Sequence, residues 1–433
     1  MSDLAWWAWA LLVIGAVSTV AVLGSLLLPD FHKPPLTCEC REPSGSEDFL
    51  AALSRYFNVP LLRGGTAEIL QNGCRFFPAL LDAIRGARDT INFECYIFES
   101  GDIGREIVDA LVERARAGVE VRMLLDAFGS LGLERRDRER LRRAGVKLQF
   151  FRPLSPFSLV RAFKRDHRRA IVIDGEIAFT GGAAVADKWN GDARNRREWR
   201  DSLTRVTGAL AHGVQTAFGE NWVYRTGEIL TGERFYPHQP GDAASTEGVP
   251  GPCGLALVSS PADSAQPIRM LFWLSFVCAR RRLWISSSYF VPESRLREAI
   301  MERARAGVDV RLLVPGPVTD AKPVRLAGRS HYEELLEAGV RIFEYQPAMM
   351  HAKTVVADDR WTLVGSANMD KRSVKINEEN LLGISDPGFA ASVARGLAAD
   401  FERSREIKLD EFRRRGLGAR VLERLSRLLI EQY

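Results

Sequence analysis

The chain has 433 residues, enough for two or three domains of ordinary size. Hydrophobic residues make up 46% of it and charged residues 27%, which is typical of a globular chain with a large core and excludes wholesale disorder. The 60 basic and 55 acidic side chains leave a net charge of only +5, too balanced for a protein held to nucleic acid by charge alone.

An apolar run without any charged side chain covers residues 5–28. A helix of this length would span about 36 Å, enough to cross the hydrocarbon core of a bilayer. Three tryptophans near its start suit a membrane interface. The alternative, a cleaved signal peptide, would begin with basic residues, and none precedes the run. We therefore predict a retained transmembrane helix. Because Lys33 and Arg41 follow it, we expect the rest of the chain in the cytoplasm.

The six cysteines are scattered, without a CxxC pair or a histidine at zinc-binding spacing. We therefore predict neither a disulfide scaffold nor a structural zinc site, and we favour a reducing compartment. Cys38 and Cys40 are expected to be unpaired thiols in a linker over residues 29–60.

The second half of the chain repeats the first. Residues 113–122 (ERARAGVEVR) recur as residues 302–311 (ERARAGVDVR), at an offset of 302 − 113 = 189. Stretches around Tyr96, Gly145 and His167 recur in the same order at similar offsets. A duplicated domain is the simplest explanation.

Each copy alternates between helical and strand patterns, which predicts an α/β fold with a largely parallel sheet in each half. Glycines are expected to end two of the helices, at Gly118 and Gly307. The predicted helices are 77–88, 103–117, 268–280 and 294–306, and the predicted strands are 90–98, 119–125, 283–290 and 308–314.

We place the first domain at residues 61–230 and the second at 255–403, joined by a linker rich in Gly and Pro at 231–254. Residues 404–433 form a basic amphipathic tail with apolar side chains at helical spacing. Two interpretations stay open for this tail: a helix packed on the domain, or an amphipathic helix at an anionic membrane surface.

The two histidine segments align position by position. In the second half, His351 and Lys353 are followed by Asp358, and then by Ser366 and Asn368. In the first half the corresponding residues are His167, Arg169, Asp174, Gly182 and Ala184. Since residues i and i+2 of a strand face the same way, each imidazole should project beside its cation. The returning strand should bring Ser366 and Asn368 close to them.

This combination suits chemistry at phosphorus. Cations and neutral donors can bind the non-bridging oxygens, one imidazole can attack phosphorus, and the other can protonate the leaving alcohol. Neither a metal ion nor a cofactor is required when the protein supplies the cations. A lone buried histidine is usually structural, and we read the other four histidines that way.

The paired HxK-x4-D-x6-GS segments resemble the phospholipase D superfamily, and within it the bacterial cardiolipin synthases. The lead-in over residues 77–98, the apolar N-terminal segment and the basic tail are also similar to theirs. The resemblance implies an α/β fold of two duplicated phospholipase D-like domains, each a mixed sheet flanked by helices. The domains would be related by a pseudo-twofold axis with one shared active site. From the one apolar run, we expect a single-pass protein of the bacterial inner membrane.

The resemblance also implies a carboxylate behind each histidine. In the second half, Glu379 lies at the position where the family has this carboxylate. In the first half, we choose Asp201. Each would fix the tautomer of an imidazole. The alternative for both residues is an ordinary surface salt bridge. Asp174 and Asp358 complete the expected catalytic set. However, strand parity turns them away from the histidine face and favours a turn or interface role.

The first half departs from the family pattern, because Arg169 replaces Lys, Gly182 replaces Ser and Ala184 replaces Asn. These departures leave open altered specificity or a reduced rate. Following the family, we expect His167 to be the nucleophile and His351 the acid and base. The residues expected to bind the substrate phosphate are Arg169, Lys353, Ser366 and Asn368.

The predicted function is the transfer of a phosphatidyl group between two phosphatidylglycerol molecules through a phosphohistidine, forming cardiolipin and releasing glycerol. The expected partners are phosphatidylglycerol, other anionic phospholipids and the membrane, without nucleic acid. One alternative is hydrolysis by the same site, as in a phospholipase D or a nuclease. Another is a non-catalytic membrane protein that binds anionic lipid.

Overall fold

The computed structural model describes residues 3–27, 36–39, 42–153, 164–238, 249–260 and 266–430. Helix α1 (Asp3–Leu27) belongs to a separate N-terminal unit, and its tryptophans near the start are exposed. Over the part of the chain that is described, no helix combines the length and apolar character required to cross a membrane. Leu28, the last residue of the predicted span, lies outside the described residues.

All other elements belong to one compact unit. Its first half contains α2 (Glu47–Phe57), β1 (Leu62–Arg63), β2 (Ala67–Gln71), α3 (Gly73–Gly86), β3 (Thr90–Cys95), α4 (Asp102–Arg116), β4 (Glu120–Asp126), α5 (Arg135–Arg143), β5 (Lys147–Phe151), β6 (Ala170–Ile173), β7 (Ile177–Gly181), a 3-10 helix (Asp187–Trp189), β8 (Trp199–Arg200), β9 (Ser202–Thr207) and α6 (Ala209–Thr226).

The second half repeats this order and ends in a helical tail. It contains β10 (Cys253–Ser259), α7 (Pro267–Val277), β11 (Arg282–Ser286), α8 (Ser294–Arg305), β12 (Asp309–Pro315), α9 (Lys322–Arg329), α10 (Tyr332–Glu337), β13 (Arg341–Tyr345), β14 (Met349–Met350), β15 (Thr354–Ala357), β16 (Trp361–Gly365), α11 (Lys371–Lys375), β17 (Glu379–Ser385), α12 (Pro387–Glu402), β18 (Ser404–Ile407), α13 (Leu409–Arg413) and α14 (Leu417–Ile430).

Each half has a mixed sheet, and the two sheets share one strand order. The first sheet runs β2-β9-β7-β6-β3-β4-β5, and the second contains the matching run β10-β17-β16-β15-β11-β12-β13. In both, three strands pair in parallel, β3-β4-β5 and β11-β12-β13, and the others pair antiparallel. The sequence repeat is therefore a structural duplication, and a mixed sheet replaces the largely parallel one expected from the sequence patterns.

The predicted elements agree with the structure to within a few residues. Helix α4 ends at Arg116, and Gly118 two residues later has a φ of +96°. Helix α8 ends at Arg305, and Gly307 has a φ of +86°. Both glycines adopt the left-handed conformation that side chains disfavour, as their place at the helix ends predicted.

Two edge strands cross the predicted boundaries. Strand β1, from the region assigned to the first domain, pairs with β10 in the second sheet. Strand β18, at the start of the predicted tail, pairs with β13 and extends the same sheet. Residues 239–248 of the predicted linker and 431–433 of the tail lie outside the described residues. These edge strands join the halves more closely than a simple chain of two domains.

A hydrophobic core lies between the two sheets. It combines side chains of α6 from the first half with side chains of α12 and the sheet of the second half, including Leu210, Phe218, Val356, Phe389 and Val393. A second core lies under α3 and α4. Because the central core draws on both halves, we expect them to fold as one body.

The described cysteines are not all in the same state. Cys74, Cys95 and Cys253 are free thiols, whereas Cys278 is disulfide-bonded. Cys40 lies outside the described residues.

Candidate active site

Short backbone contacts bring the histidine segments to the boundary between the halves. Strand β14, just before His351, pairs in parallel with β8 of the first half. The backbone N–H of His351 donates to the Arg200 carbonyl at 2.7 Å. In the same way, the N–H of His167 donates to the Glu378 carbonyl at 2.9 Å. Each histidine is thus attached to the strand of the opposite half that leads into a carboxylate.

These backbone contacts place each carboxylate beside the histidine of the opposite half. Nδ1 of His351 lies 2.6 Å from Oδ2 of Asp201, and Nδ1 of His167 lies 2.9 Å from Oε2 of Glu379. The sequence analysis assigned each carboxylate to the histidine of its own half, and this pairing was wrong. All four side chains are buried. Each pair can therefore fix the tautomer in which Nε2 carries no proton, and in His351 this nitrogen lies 3.3 Å from Nζ of Lys353.

The cation two residues after each histidine folds back onto the backbone of that histidine. Nζ of Lys353 donates to the His351 carbonyl at 2.5 Å and to Oγ of Ser288 at 2.6 Å. Nη1 of Arg169 donates to the His167 carbonyl. The segments precede strands β6 and β15 rather than lying within them. The cations nevertheless remain beside their imidazoles, and Nζ of Lys353 is 3.1 Å from Nδ1 of His351.

The imidazoles are neutral at pH 7. Burial, followed by the nearby Arg169 guanidinium, lowers the pKa of His167 to about 4. Burial, followed by the Lys353 ammonium, lowers the pKa of His351 to about 4. Lys353 also lowers the pKa of His167, and Arg169 that of His351, so each imidazole is close enough to sense the cation of the other half. Their free ring nitrogens are thus available as nucleophiles or bases.

The carboxylates are ionised despite their burial. Burial alone would raise the pKa of Asp201 and of Glu379, but the contacts with His351 and His167 lower both below their ordinary values. Lys353 differs from an ordinary lysine, because burial lowers its pKa to about 7. The charge of this ammonium therefore depends on pH within the physiological range.

The neutral donors of the second half serve two purposes. Oγ of Ser366 donates to Oε2 of Glu379, the same oxygen that contacts His167, and so it supports the carboxylate. Asn368 is buried, and its Oδ1 has no hydrogen-bond partner among the described residues. Of the two residues predicted to bind phosphate, Ser366 is thus engaged by the protein, whereas the amide oxygen of Asn368 is not.

The departure at Gly182 has a steric cause. A Cβ atom at this position would lie 2.4 Å from Oδ1 of Asp201 and 3.0 Å from the His351 carbonyl oxygen. Asp201 occupies the space that a serine would require, so the first half cannot repeat the contact that Ser366 makes. Ala184 is buried in the core of the first half.

Asp174 and Asp358 bind backbone amides away from the imidazoles. The Asp174 carboxylate accepts hydrogen bonds from the N–H groups of residues 88, 89 and 90, each at 2.8 Å. Asp358 accepts from those of residues 280, 281 and 282 at 2.7–3.2 Å. Both aspartates have a positive φ in their turns. They hold the start of β3 and of β11, which fits the turn role and corrects their inclusion in the catalytic set.

Two tyrosines beside the imidazoles were not singled out from the sequence. The Tyr96 ring lies edge-on to His167 with centroids 5.1 Å apart, and Tyr289 lies edge-on to His351 at 6.3 Å. The hydroxyl of Tyr289 donates to Asp320 at 2.7 Å. Both tyrosines follow equivalent strands, β3 and β11, in a stretch that the repeat had already matched. That position at a strand end was the signal that could have identified them.

The surroundings of the imidazoles contain carboxylate side chains, a residue type that can bind metal ions. Within the described ranges, no group of three or more His, Cys, Asp or Glu side chains is arranged to hold a metal ion. Each imidazole has one cation beside it, Arg169 next to His167 and Lys353 next to His351.

Comparison with known proteins gives consistent matches. The family described as "Cardiolipin synthase, PLD-like domain" matches residues 80–196 and 277–404. Cardiolipin synthase 1 of Bacillus cereus is 33% identical over 383 residues, covering 87% of this chain and 74% of the relative. A cardiolipin synthase of Geobacillus thermodenitrificans is 35% identical over 373 residues, covering 86% and 73%.

Solved structures share the fold at lower sequence identity. The phosphatidylserine synthase of Haemophilus influenzae superposes with a TM-score of 0.67 at 17% identity, covering 89% of this chain and 100% of that protein. The polyphosphate kinase of Porphyromonas gingivalis has a TM-score of 0.53 at 13% identity. At these identities the likeness concerns the fold alone.

Proposed function

Because the chain belongs to the cardiolipin synthase family of phospholipase D-like proteins, we propose that it joins two phosphatidylglycerol molecules into cardiolipin and releases glycerol. The observation that carries this proposal is the pair of buried imidazole–carboxylate contacts formed across the two halves. Two activated imidazoles beside two cations are what a double displacement at one phosphorus atom requires.

In the first displacement, Nε2 of His167 attacks the phosphorus of phosphatidylglycerol. The bond from phosphorus to the glycerol oxygen breaks, and His351 gives its Nε2 proton to the departing glycerol. A bound phosphodiester anion raises the pKa of His351 from its value in the free site, which allows this imidazole to carry the proton. The product of this step is glycerol and a phosphatidyl group covalently bound to His167.

In the second displacement, the terminal hydroxyl of another phosphatidylglycerol attacks the same phosphorus. His351, now neutral, takes the proton of that hydroxyl, and the bond between phosphorus and His167 breaks. Cardiolipin leaves, and both imidazoles return to their initial states. Arg169, Lys353 and the Asn368 amide stabilise the charge on the non-bridging oxygens in both steps.

An assay with pure phosphatidylglycerol separates the candidate functions. The purified protein is incubated with this lipid and a chelator, and the products are analysed. Cardiolipin and glycerol in equal amounts support the transfer. Phosphatidic acid as the main product would indicate hydrolysis by the same site. Lipid binding without turnover would indicate the non-catalytic alternative.

Substitution of a catalytic histidine tests the site itself. His351→Asn should abolish turnover, because asparagine neither accepts nor returns the proton. His331→Asn is a matched control, since His331 is also buried and paired with a carboxylate, Glu334, at 3.0 Å. Activity retained by the His351 variant, or lost equally in the control, would contradict the assignment.

We also propose that the run over residues 5–28 anchors the protein in the bacterial inner membrane as a single pass, with the catalytic halves in the cytoplasm. The length of this run and its lack of charge support the anchor. Protease accessibility of the C-terminal part in right-side-out and inverted vesicles tests the orientation. Cleavage in inverted vesicles alone is expected, and cleavage in right-side-out vesicles would reverse it.

A further inference from the structure

The carboxylate behind each imidazole receives a second hydrogen bond, and the donor differs between the halves. In one pair, Oε2 of Glu379 contacts both His167 and the hydroxyl of Ser366. In the other, Oδ2 of Asp201 contacts both Nδ1 of His351, at 2.6 Å, and the indole Nε1 of Trp189, at 2.9 Å. The indole N–H therefore binds the same oxygen that holds the imidazole.

The duplication explains where this indole comes from. Ser366 aligns with Gly182 at an offset of 366 − 182 = 184, and Ser373 aligns with Trp189 at the same offset, 373 − 189 = 184. In the second half, the side chain of Ser373 is among the groups that lower the pKa of Glu379. Gly182 can offer no donor, since even a Cβ atom would come within 2.4 Å of Asp201. Besides its contact with His351, Asp201 thus accepts hydrogen bonds from the Trp189 indole at Oδ2 and from the backbone N–H of Ser202 at Oδ1, the latter at 2.8 Å.

The surroundings hold Trp189 in a defined orientation. It is 0% exposed and ends the 3-10 helix, whose first residue, Asp187, accepts hydrogen bonds from the N–H groups of residues 102 and 103 at the start of α4. The Trp189 ring packs against Trp199 with centroids 4.6 Å apart, and lies edge-on to His351 at 5.5 Å. Because the orientation of the indole is set by its neighbours, its N–H can hold the Asp201 carboxylate in one orientation.

We propose that Trp189 is a positioning residue, which orients Asp201 toward His351 and replaces the serine hydroxyl that the first half lacks. The effect on turnover rests on the proposed function, whereas the effect on the His351 imidazole does not. Without the indole N–H, the aspartate rotates more freely and His351 loses its fixed tautomer. Proton transfer by His351 then slows while lipid binding stays the same.

The test removes the N–H and keeps the shape of the side chain. Trp189 is replaced by 3-benzothienylalanine, in which sulfur takes the place of the indole N–H. The same replacement at Trp361 is the control, because Trp361 is also 0% exposed and donates to Oγ of Ser275 at 2.8 Å, in the core of the second half. Both variants lose one buried hydrogen bond, so any common effect reports on folding alone.

At position 189 we expect kcat per folded protein to fall about tenfold to a hundredfold with an unchanged KM, the usual cost of losing a hydrogen bond to a charged group. The control should retain its kcat. Equal kcat values in the two variants would overturn the proposal.

A second readout does not depend on turnover. The rates at which diethyl pyrocarbonate modifies His351 and His167 are measured by mass spectrometry. Replacement at position 189 should slow the modification of His351 severalfold and leave that of His167 unchanged. Unchanged rates at both histidines would also overturn the proposal. If the wild-type protein lacks transferase activity but His351 responds as expected, only the proposed function fails.

Discussion

Among single residues, four buried or partly buried carboxylates divide into two that contact imidazoles and two that bind backbone amides. Asp201 and Glu379 each contact an imidazole, so their charge bears on the chemistry. Asp174 and Asp358 each bind three backbone N–H groups, so their charge bears on the fold. The difference follows from their partners, because an imidazole exchanges protons and an amide does not.

Substitution to asparagine should separate these purposes. Asp201→Asn keeps the size of the side chain but offers an amide to His351, which favours the wrong tautomer. We expect kcat to fall about a thousandfold or more. Asp174→Asn is the matched variant. It should lower the free energy of unfolding by about 2 kcal/mol through weaker hydrogen bonds to the backbone, with kcat per folded protein unchanged. Denaturant titration and turnover of both variants check this.

The lowered pKa of Lys353 predicts the alkaline limit of activity. With a pKa of about 7, the ammonium loses its proton, and with it the positive charge, as the pH rises through 7. Since the charge is needed to bind phosphate, kcat/KM in the free enzyme should decline above that pH. Lys353→Arg keeps its charge at all these values, so its kcat/KM should decline less steeply above pH 7 than that of the wild-type protein. A decline at the same pH in both proteins would assign the limit to another group.

At the level of single elements, helix α14 packs on the domain, as the first interpretation of the tail predicts, and the membrane interpretation stays a prediction. One face packs on α9, with Glu423 buried and bound to Arg329 at 3.1 Å and to Arg415 at 2.9 Å. The opposite face leaves five apolar side chains more than half exposed: Leu417, Val421, Leu422, Leu425 and Leu428. An apolar face flanked by arginines is typical of a helix that lies at an anionic membrane surface.

A substitution on the exposed apolar face of α14 tests whether this helix helps the enzyme to reach lipid substrate in a bilayer. Leu425→Glu places a charge among the exposed leucines, so KM for phosphatidylglycerol in vesicles should rise about tenfold, from the lost burial of one leucine. Turnover of the same lipid in detergent micelles should not change. Ile229→Glu serves as the control, because Ile229 is 73% exposed and lies outside this helix. Equal KM values in vesicles would exclude the helix from this role.

In the molecule as a whole, a buried ion pair between the two halves stabilises the strand next to the candidate active site. Arg200 belongs to β8, and its guanidinium contacts the Asp400 carboxylate of α12 at 2.8–3.0 Å. Both side chains are buried. The carbonyl of Arg200 accepts the backbone N–H of His351, and the next residue is Asp201. The ion pair thus fixes the strand that presents one catalytic carboxylate.

Removing one partner of this pair should destabilise both halves together. Asp400→Asn leaves the Arg200 charge buried without its counter-charge, so the free energy of unfolding should fall by about 3 kcal/mol. Because the halves share a core, unfolding should remain a single transition. Asp102→Asn is the control, since its contact with Arg105 is exposed and should matter little. Two separate transitions in denaturant would contradict the shared core.

The amino-acid pattern was enough to predict the duplication, the order of helices and strands, the glycine helix ends and the two histidine segments, because these features depend on local patterns that the chain carries twice. Which carboxylate serves which imidazole follows from the folded chain and not from the pattern. His167 and Glu379 are 212 residues apart and His351 and Asp201 are 150 apart. Their contacts arise because short strands pair across the halves, and spacing within one half carries no information about such pairing. For the same reason the Trp189 indole, which lies outside both histidine motifs, could not be identified from its position in the sequence.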